Sequence, residues 1–353
     1  MQPLDKLFRW CCAAILSLAS PVSYGGQAGT GIMAAEAAIL TPASCRNQRH
    51  AGVRYHVTRL NLGGAFSGVP LGLNYAGKVV GYALTANGLV PTLWIGDQVH
   101  FLPTLGGDYN KAHGISDTDE IVGESNLADD INARAVSWVN GQLRDMGSLG
   151  GPGREAFARA INARGLSGGA SYKPGEGFRA VLWEPGIREL GWIAGGYNLV
   201  KAINESGVAV GRSDNFPALW RADGQAEILS WGSVEGEAND INNKGQVVGY
   251  ASYFTAITWN QGRLSQLPSL GGYQGIANGI NDRGEIVGQS SLPDGGWRAA
   301  IWRSGKVLQL DTLLDDESAG VGIAEATAIN QRGQIAAVAD GGLPVLLTPR
   351  PCK

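Results

Sequence analysis

The sequence predicts an all-β fold: a seven-bladed β-propeller of four-stranded blades, closed by one N-terminal strand plus three C-terminal strands. Three observations predict it. A turn motif, N-x-x-G-x-x-x-G, recurs along the chain. A short strand ending in Trp follows nearly every copy at a similar interval. The two ends carry complementary parts of one repeating unit.

The motif copies are "LNYAGKVVG" (73–81), "ISDTDEIVG" (115–123), "INARGLSGG" (161–169), "INESGVAVG" (203–211), "INNKGQVVG" (241–249), "INDRGEIVG" (280–288) and "INQRGQIAA" (329–337). The second copy has Ser116 and Asp119 in the Asn and Gly places, and the last ends in Ala337. Asn can cap a tight turn with its side chain, and Gly supplies the positive φ that ends it. The flanks are short and β-prone. Trp94, Trp138, Trp183, Trp220, Trp259 and Trp302 close the third strands, with Leu347 in the seventh place, at intervals of 37 to 45 residues. A turn and a fourth strand follow, ending in strings such as "LPTLGG" (102–107) and "LPSLGG" (267–272). Four short strands at this period describe a propeller blade, and a solenoid is the alternative.

The ends favour closure. "RYHVTRLNLGG" (54–64) reads as a fourth strand with no first three before it, and 324–349 supplies three strands with no fourth. Together they make one blade and leave no exposed sheet edge.

Composition agrees with many tight turns between buried strands. The chain has 53 glycines in 353 residues and 44% hydrophobic residues. Glycine and proline together, about 19%, stay below the roughly 25–30% of disordered chains. The net charge of −3, with no Lys/Arg run, argues against a nucleic-acid partner. Lys6 and Arg9 precede the apolar run "CCAAILSLA" (11–19) and a small-residue stretch, the order of a secretory signal. That run is too short to span a bilayer. The expected division is a leader over 1–44 and one propeller domain over 45–353, exported to the periplasm or the extracellular space. Cys45 and Cys352 remain near the ends of the mature chain. A disulfide between them would replace the turn missing from the split blade, contributing about 4–5 kcal/mol in the chain-entropy picture.

The string "A-x-x-I-N-x-x-G-x-x-V-G … A-x-x-W … L-G-x-L-G-G", over residues 54 to 349, resembles the HAF-type extracellular repeat family. The His-Ala-Phe triplet of that family is replaced here by "RAVSW", "RAVLW", "FPALW", "TAITW" and "RAAIW". The resemblance implies an exported bacterial protein with a propeller-like fold, and carries over no catalytic residue.

No G-x-S-x-G or H-E-x-x-H motif is present. His56 and His100 fall at like places of the fourth-strand motif, and His113 precedes the second turn, where it reads as structural. Asp117, Asp119 and Glu120 gather in one turn, with Asp129 and Asp130 in the next loop, a set of oxygen ligands that would suit Ca2+. No other cofactor is expected. Tyr109, Tyr197, Tyr273 and Phe66 follow Gly pairs, and Trp192 and Trp231 stand in two related loops. These positions belong to the blade-to-blade connections and so to one face. They could stack on sugar rings or receive a peptide, or simply pack neighbouring blades together. The function expected is a monomeric, non-enzymatic binding scaffold for carbohydrate, peptide or a surface protein. The alternatives are a polysaccharide hydrolase or lyase with acids on the channel face, and a purely structural envelope protein.

Overall fold

The computed structural model describes residues 53–128, 132–151, 154–229 and 234–351. The leader, Cys45, Cys352, Trp231, Asp129 and Asp130 lie outside these, and so does the expected disulfide. Among the described residues, regular structure is strand except for two short 3-10 turns, Ser252–Phe254 and Leu310–Leu313.

The strands form antiparallel quartets in chain order. The first is Ser67–Leu73, Val79–Thr85, Gly88–Ile95 and Gln98–Phe101. The next five span 106–145, 156–189, 198–228, 236–266 and 275–309. One parallel pair, Leu89 with Tyr109, joins the first two into one sheet. The last sheet takes Ile323–Ile329, Ile335–Ala339 and Leu343–Pro351 from the end of the chain, and Val53–Arg59 from its start. Val53–Arg59 pairs with Leu343–Pro351 antiparallel, from Val53 opposite Pro351 to Arg59 opposite Val345. The split unit expected from the two ends is therefore one sheet.

The Asn residues do more than cap their turns. In the fifth quartet, Asn242 Oδ1 accepts the N–H groups of Lys244 and Gln246, while its Nδ2 donates to the carbonyl of Asn281 at 3.0 Å. The same crosslink runs from Asn162 to Asn204, Asn204 to Asn242, Asn281 to Asn330, and Asn74 to Ser116. Asn330 then donates to the carbonyl of Asn74 at 2.9 Å, tying the last quartet to the first. Only the step from Ser116 to Asn162 lacks an amide donor, because serine has none.

Four of the Trp residues anchor their third strands to the loop before the quartet, while the buried indole N–H of Trp183 finds no acceptor among the described residues. Trp94, Trp138, Trp220 and Trp302 are buried and donate their indole N–H to the carbonyls of Asn61, Pro103, Gly191 and Pro268. A buried tryptophan brings a large apolar area, and its one polar atom needs a partner. Core clusters lie between adjacent sheets. Leu219 and Leu229 of the fourth quartet, for example, meet Ile241 and Val247 of the fifth.

The second-strand glycines have a steric cause. A Cβ on Gly249 would stand 1.9 Å from the carbonyl oxygen of Glu237, and one on Gly123 2.0 Å from that of Lys111. The first strand bulges toward the second at this level. Its register slips between Ala238 and Asp240 and between Ala112 and Gly114, and the other five quartets slip at the matching place. The last quartet, which carries Ala337 there, adds a second slip between Ile323 and Glu325.

Candidate functional site

The bulges decide which side chains face the space between the innermost strands. The residue inside the slip is Leu71, His113, Arg159, Lys201, Asn239, Asn278 and Thr327 in successive quartets. An extra residue re-aims its side chain out of the normal strand alternation. Leu71, Lys201, Asn239, Asn278 and Thr327 line a cavity of about 280 Å3 between the inner strands. Its far rim is the Asn turns, with Asp117, Glu205 and Asn243.

The polar residues at this level are joined around the cavity. Lys201 Nζ donates to Glu237 at 2.8 Å and to Asn239 Oδ1 at 2.7 Å. Asn239 donates to the carbonyl of Ala277, and Asn278 to Glu325 and the carbonyl of Ala326. Arg159 reaches back one quartet, with Nη1 2.6 Å from His113 Nε2 and 3.6 Å from Glu124 Oε1. His113 Nε2 is also 3.0 Å from Glu124. Burial, helped by the Arg159 guanidinium, pushes the His113 imidazole down to about 4, so it is neutral at neutral pH. Glu124 is held well below the carboxylate range: Arg159 and the His113 hydrogen bond outweigh its burial. Lys201 does the same for Glu237 against its burial. The His113 side chain is thus buried and held between Glu124 and Arg159.

Asp240 breaks the repeat. Other quartets have Ala or Gly there, such as Ala160, Ala202 and Gly279. Its carboxyl accepts the N–H groups of Ile241 and, across to the next sheet, Ile280, both at 2.8 Å. Burial pushes it up to about 7 despite these bonds, although part of the residue surfaces in the cavity. Burial also raises Glu325. Both Asp240 oxygens are held by backbone, which leaves no positioned proton relay of the acid–base kind.

The aromatic residues occupy the other end. Each stands before or at the start of an innermost strand, whose end carries the Asn turn. Tyr109 lies beside Lys111, whose Nζ is 2.6 Å from its hydroxyl and 4.5 Å from its ring centre. The same ammonium is 5.1 Å from the Tyr82 ring. Tyr197 is half-buried against Phe178, 5.4 Å between ring centres, with Arg212 over it at 5.1 Å. Trp192 is exposed, its indole bonded to the carbonyl of Gly195 and Arg179 5.9 Å from its ring. Phe66 and Tyr273 are exposed, Tyr273 at 95%. No ring contact joins Tyr109, Tyr197 and Tyr273, so they share a side but not a continuous platform.

Two residues on this side were missed in the sequence, Tyr253 and Phe254. They form the turn between the second and third strands of the fifth quartet. Both have left-handed backbone, φ 60° and 59°, and Tyr253 is 89% exposed. Bulky residues rarely adopt that region. Gln274, next to Tyr273, donates to the carbonyl of Tyr253. The signal was available: "ASYFTA" (251–256) puts aromatics where the corresponding turns have "KPGEG" (173–177) or "PDGGW" (293–297).

Of the acids considered for calcium, Asp117 and Asp119 bind protein groups through their carboxylates. Asp117 accepts the Tyr75 N–H at 2.7 Å, and Asp119 accepts from Asn74 Nδ2 and Lys78 Nζ. Glu120 is held through its N–H by Ser116. Among the described residues, His56, Asp315 and Glu317 bring potential ligand atoms within 4.8 Å of one another. Arg350 Nη1 already lies 3.0 Å from both carboxylates, so this group is an ion-pair clasp between the first strand, the last strand and the 315–318 loop.

No protein-family model matches the chain, and neither does any of the curated proteins. Solved structures do. Virginiamycin B lyase from Staphylococcus aureus, solved with quinupristin, is 12% identical with a TM-score of 0.56, over 83% of this chain and 99% of that one. YCF48 bound to D1 peptide is 11% identical with a TM-score of 0.52, over 84% of this chain and 97% of that one. At such identity the likeness concerns the fold alone, and the fold is that of a β-propeller.

Proposed function

We propose that this chain is an exported, closed, seven-bladed β-propeller that binds a peptide segment of a protein partner without catalysis. The surface used is the face of the blade-to-blade connections. One observation carries the reading: the exposed, conformationally strained Tyr253–Phe254 turn beside exposed Tyr273. Phe254 packs on Tyr250, 5.5 Å between ring centres, while the Tyr253 ring stays exposed, and strained backbone that presents an exposed ring is a feature of binding loops. Large aromatic rings are also common anchors at protein interfaces. Closure is supported by the shared terminal sheet and by the Asn330–Asn74 hydrogen bond. A peptide-bound propeller among the similar folds is consistent with it.

Carbohydrate is the weaker ligand class. The rings of Tyr109 and Tyr197 already carry Lys111 and Arg212, and a sugar needs an open ring face. The test is a random-peptide array beside a glycan array, probed with the mature chain and with a Tyr253→Ala/Tyr273→Ala variant. The expected result is a set of peptides bound by the parent and lost by the variant. Binding confined to glycans, or peptide binding unchanged in the variant, would refute the reading.

A further inference from the structure

We infer that the peptide partner is acidic, and that its carboxylates dock on Lys111, Arg159 and Arg212 around the aromatic end of the central space. This rests on the peptide reading above and names the chemistry of its ligand.

The arc is continuous. Lys111, His113 and Glu124 belong to the second quartet, Arg159 to the third, Lys201 and Arg212 to the fourth, and Glu237 to the fifth. Arg159 acts electrostatically on Glu124, Glu237 and the Tyr197 hydroxyl. The acids are already matched: Glu124 with Arg159, and Glu237 with Lys201. Among the described residues, no carboxylate lies within 4.0 Å of Lys111 or Arg212. Lys111 meets instead the Tyr109 hydroxyl and the Tyr82 and Tyr109 rings. Arg212 donates to the Asp214 carbonyl and Asn215 Oδ1, and lies over Tyr197. Arg159 spends one Nη on His113 and lies over the Phe157 ring, and its side chain is partly exposed. With His113 neutral, the arc holds an excess of two positive charges on a chain whose net charge is −3.

Neutral partners around two cations are easily exchanged for charged ones. A carboxylate gives a charge-assisted hydrogen bond, roughly twice as strong as a neutral one. Positive charge focused at the mouth of a cleft also attracts an anionic segment from solution. The exposed aromatic side chains on the same side then hold the apolar side chains of that segment.

The test is fluorescence anisotropy of fluorescein-labelled hexaglutamate with the mature chain. Hexaglutamine is the neutral probe and oligogalacturonate the acidic saccharide. Expected are hexaglutamate binding, weakening with added salt, and no hexaglutamine binding. A Lys111→Met/Arg212→Met variant should lose about tenfold in affinity. Its melting temperature should stay near the parent's, because the buried Glu124 and Glu237 keep their ion-pair partners Arg159 and Lys201. Lys306→Met, on an outer strand, should bind as the parent does. Equal binding of both peptides, or hexaglutamate binding indifferent to the double variant, overturns the inference. Oligogalacturonate bound at the arc in place of hexaglutamate overturns the choice of a peptide. If array peptides depend on Tyr253 and Tyr273 but none is acidic, the inference falls and the peptide reading stands. If neither array peptides nor hexaglutamate bind folded protein, both fall.

Discussion

Gly249 shows how a residue type can be legible while its reason is not. Its recurrence was plain in the sequence, and a positive φ would have been the easy explanation. That explanation holds for the turn glycines, such as Gly245 at φ 76°. Gly249 is needed because the bulged first strand puts the Glu237 carbonyl where a Cβ would be. Gly249→Ala should therefore destabilise the protein by about 1–3 kcal/mol, the range for forced overpacking. Urea melts would read this as a lower midpoint at unchanged slope, and an unchanged midpoint would refute it. The buried ionisable residues carry pH predictions of opposite sign. His113 is lowered to about 4, so the unfolded chain binds its proton first and stability from this group falls as pH drops from about 6.5 to 4. Ring proton shifts in NMR should show His113 neutral down to about pH 4. A midpoint near 6.5 would mean that the imidazole is not buried in the folded protein. Asp240 is raised to about 7, so the folded chain keeps its proton longer and stability falls as pH rises from about 4 to 7. Asp240→Ala, the residue other quartets use, should gain on the parent in thermal melts as pH goes from 5 to 8. A constant difference would sink the assignment.

At the scale of the element, the turn and the first strand carry different kinds of information. The Asn-x-x-Gly turn is specified locally, and its four-residue signature survives in six of seven copies. What the pattern could not show is that the same amide holds the neighbouring sheet. Asn242→Ala removes two backbone caps and the bond to Asn281 from a buried position. Each unsatisfied group costs roughly 1–3 kcal/mol, so the loss should exceed that of an ordinary turn substitution, about 1 kcal/mol. A denaturant midpoint no lower than for an exposed turn variant would contradict the crosslink. The first strand hides its functional content for the opposite reason. Its "A-x-x-I" frame recurs, while the position inside the bulge holds Leu71, His113, Arg159, Lys201, Asn239, Asn278 and Thr327. No motif search aligns such a set, yet the variety is the signal, because side chains packed between sheets would be uniformly apolar. The aromatic turn was overlooked likewise. Tyr109 and Tyr197 follow Gly pairs and pack against cations, whereas Tyr253 and Phe254 follow no Gly pair. Replacing Tyr253–Phe254 by Asn-Gly, which suits left-handed backbone, should raise stability by about 1 kcal/mol while abolishing peptide binding. A variant that gains stability and still binds would remove the loop from the site.

At the scale of the whole molecule, the fold was legible because a repeat states its architecture many times over. Seven imperfect copies average out single departures such as Asp119 and Ala337. The ends added the rest: one unit was divided between residues 53–59 and 323–351, and the two pieces form one sheet. Ligand chemistry was not legible by the same logic, since it depends on how the copies differ. The proposed closure makes a prediction that an open array does not. In a solenoid, removing one terminal strand trims a nearest-neighbour term and leaves the other repeats folded. Here Val53–Arg59 covers the edge of Leu343–Pro351, buries Tyr55, and places His56 in the clasp with Asp315 and Glu317. A chain starting at Leu60 would expose a long strand edge, which invites pairing with other copies. It should melt at lower temperature across all probes together, and elute as dimers or larger species in size-exclusion chromatography. Adding a synthetic peptide of residues 45–59 should restore the monomer and part of the lost stability, because binding to the folded state raises its apparent stability by mass action. A truncated chain that stays monomeric with an unchanged melt would show that the first strand is an appendage, and would refute closure through it.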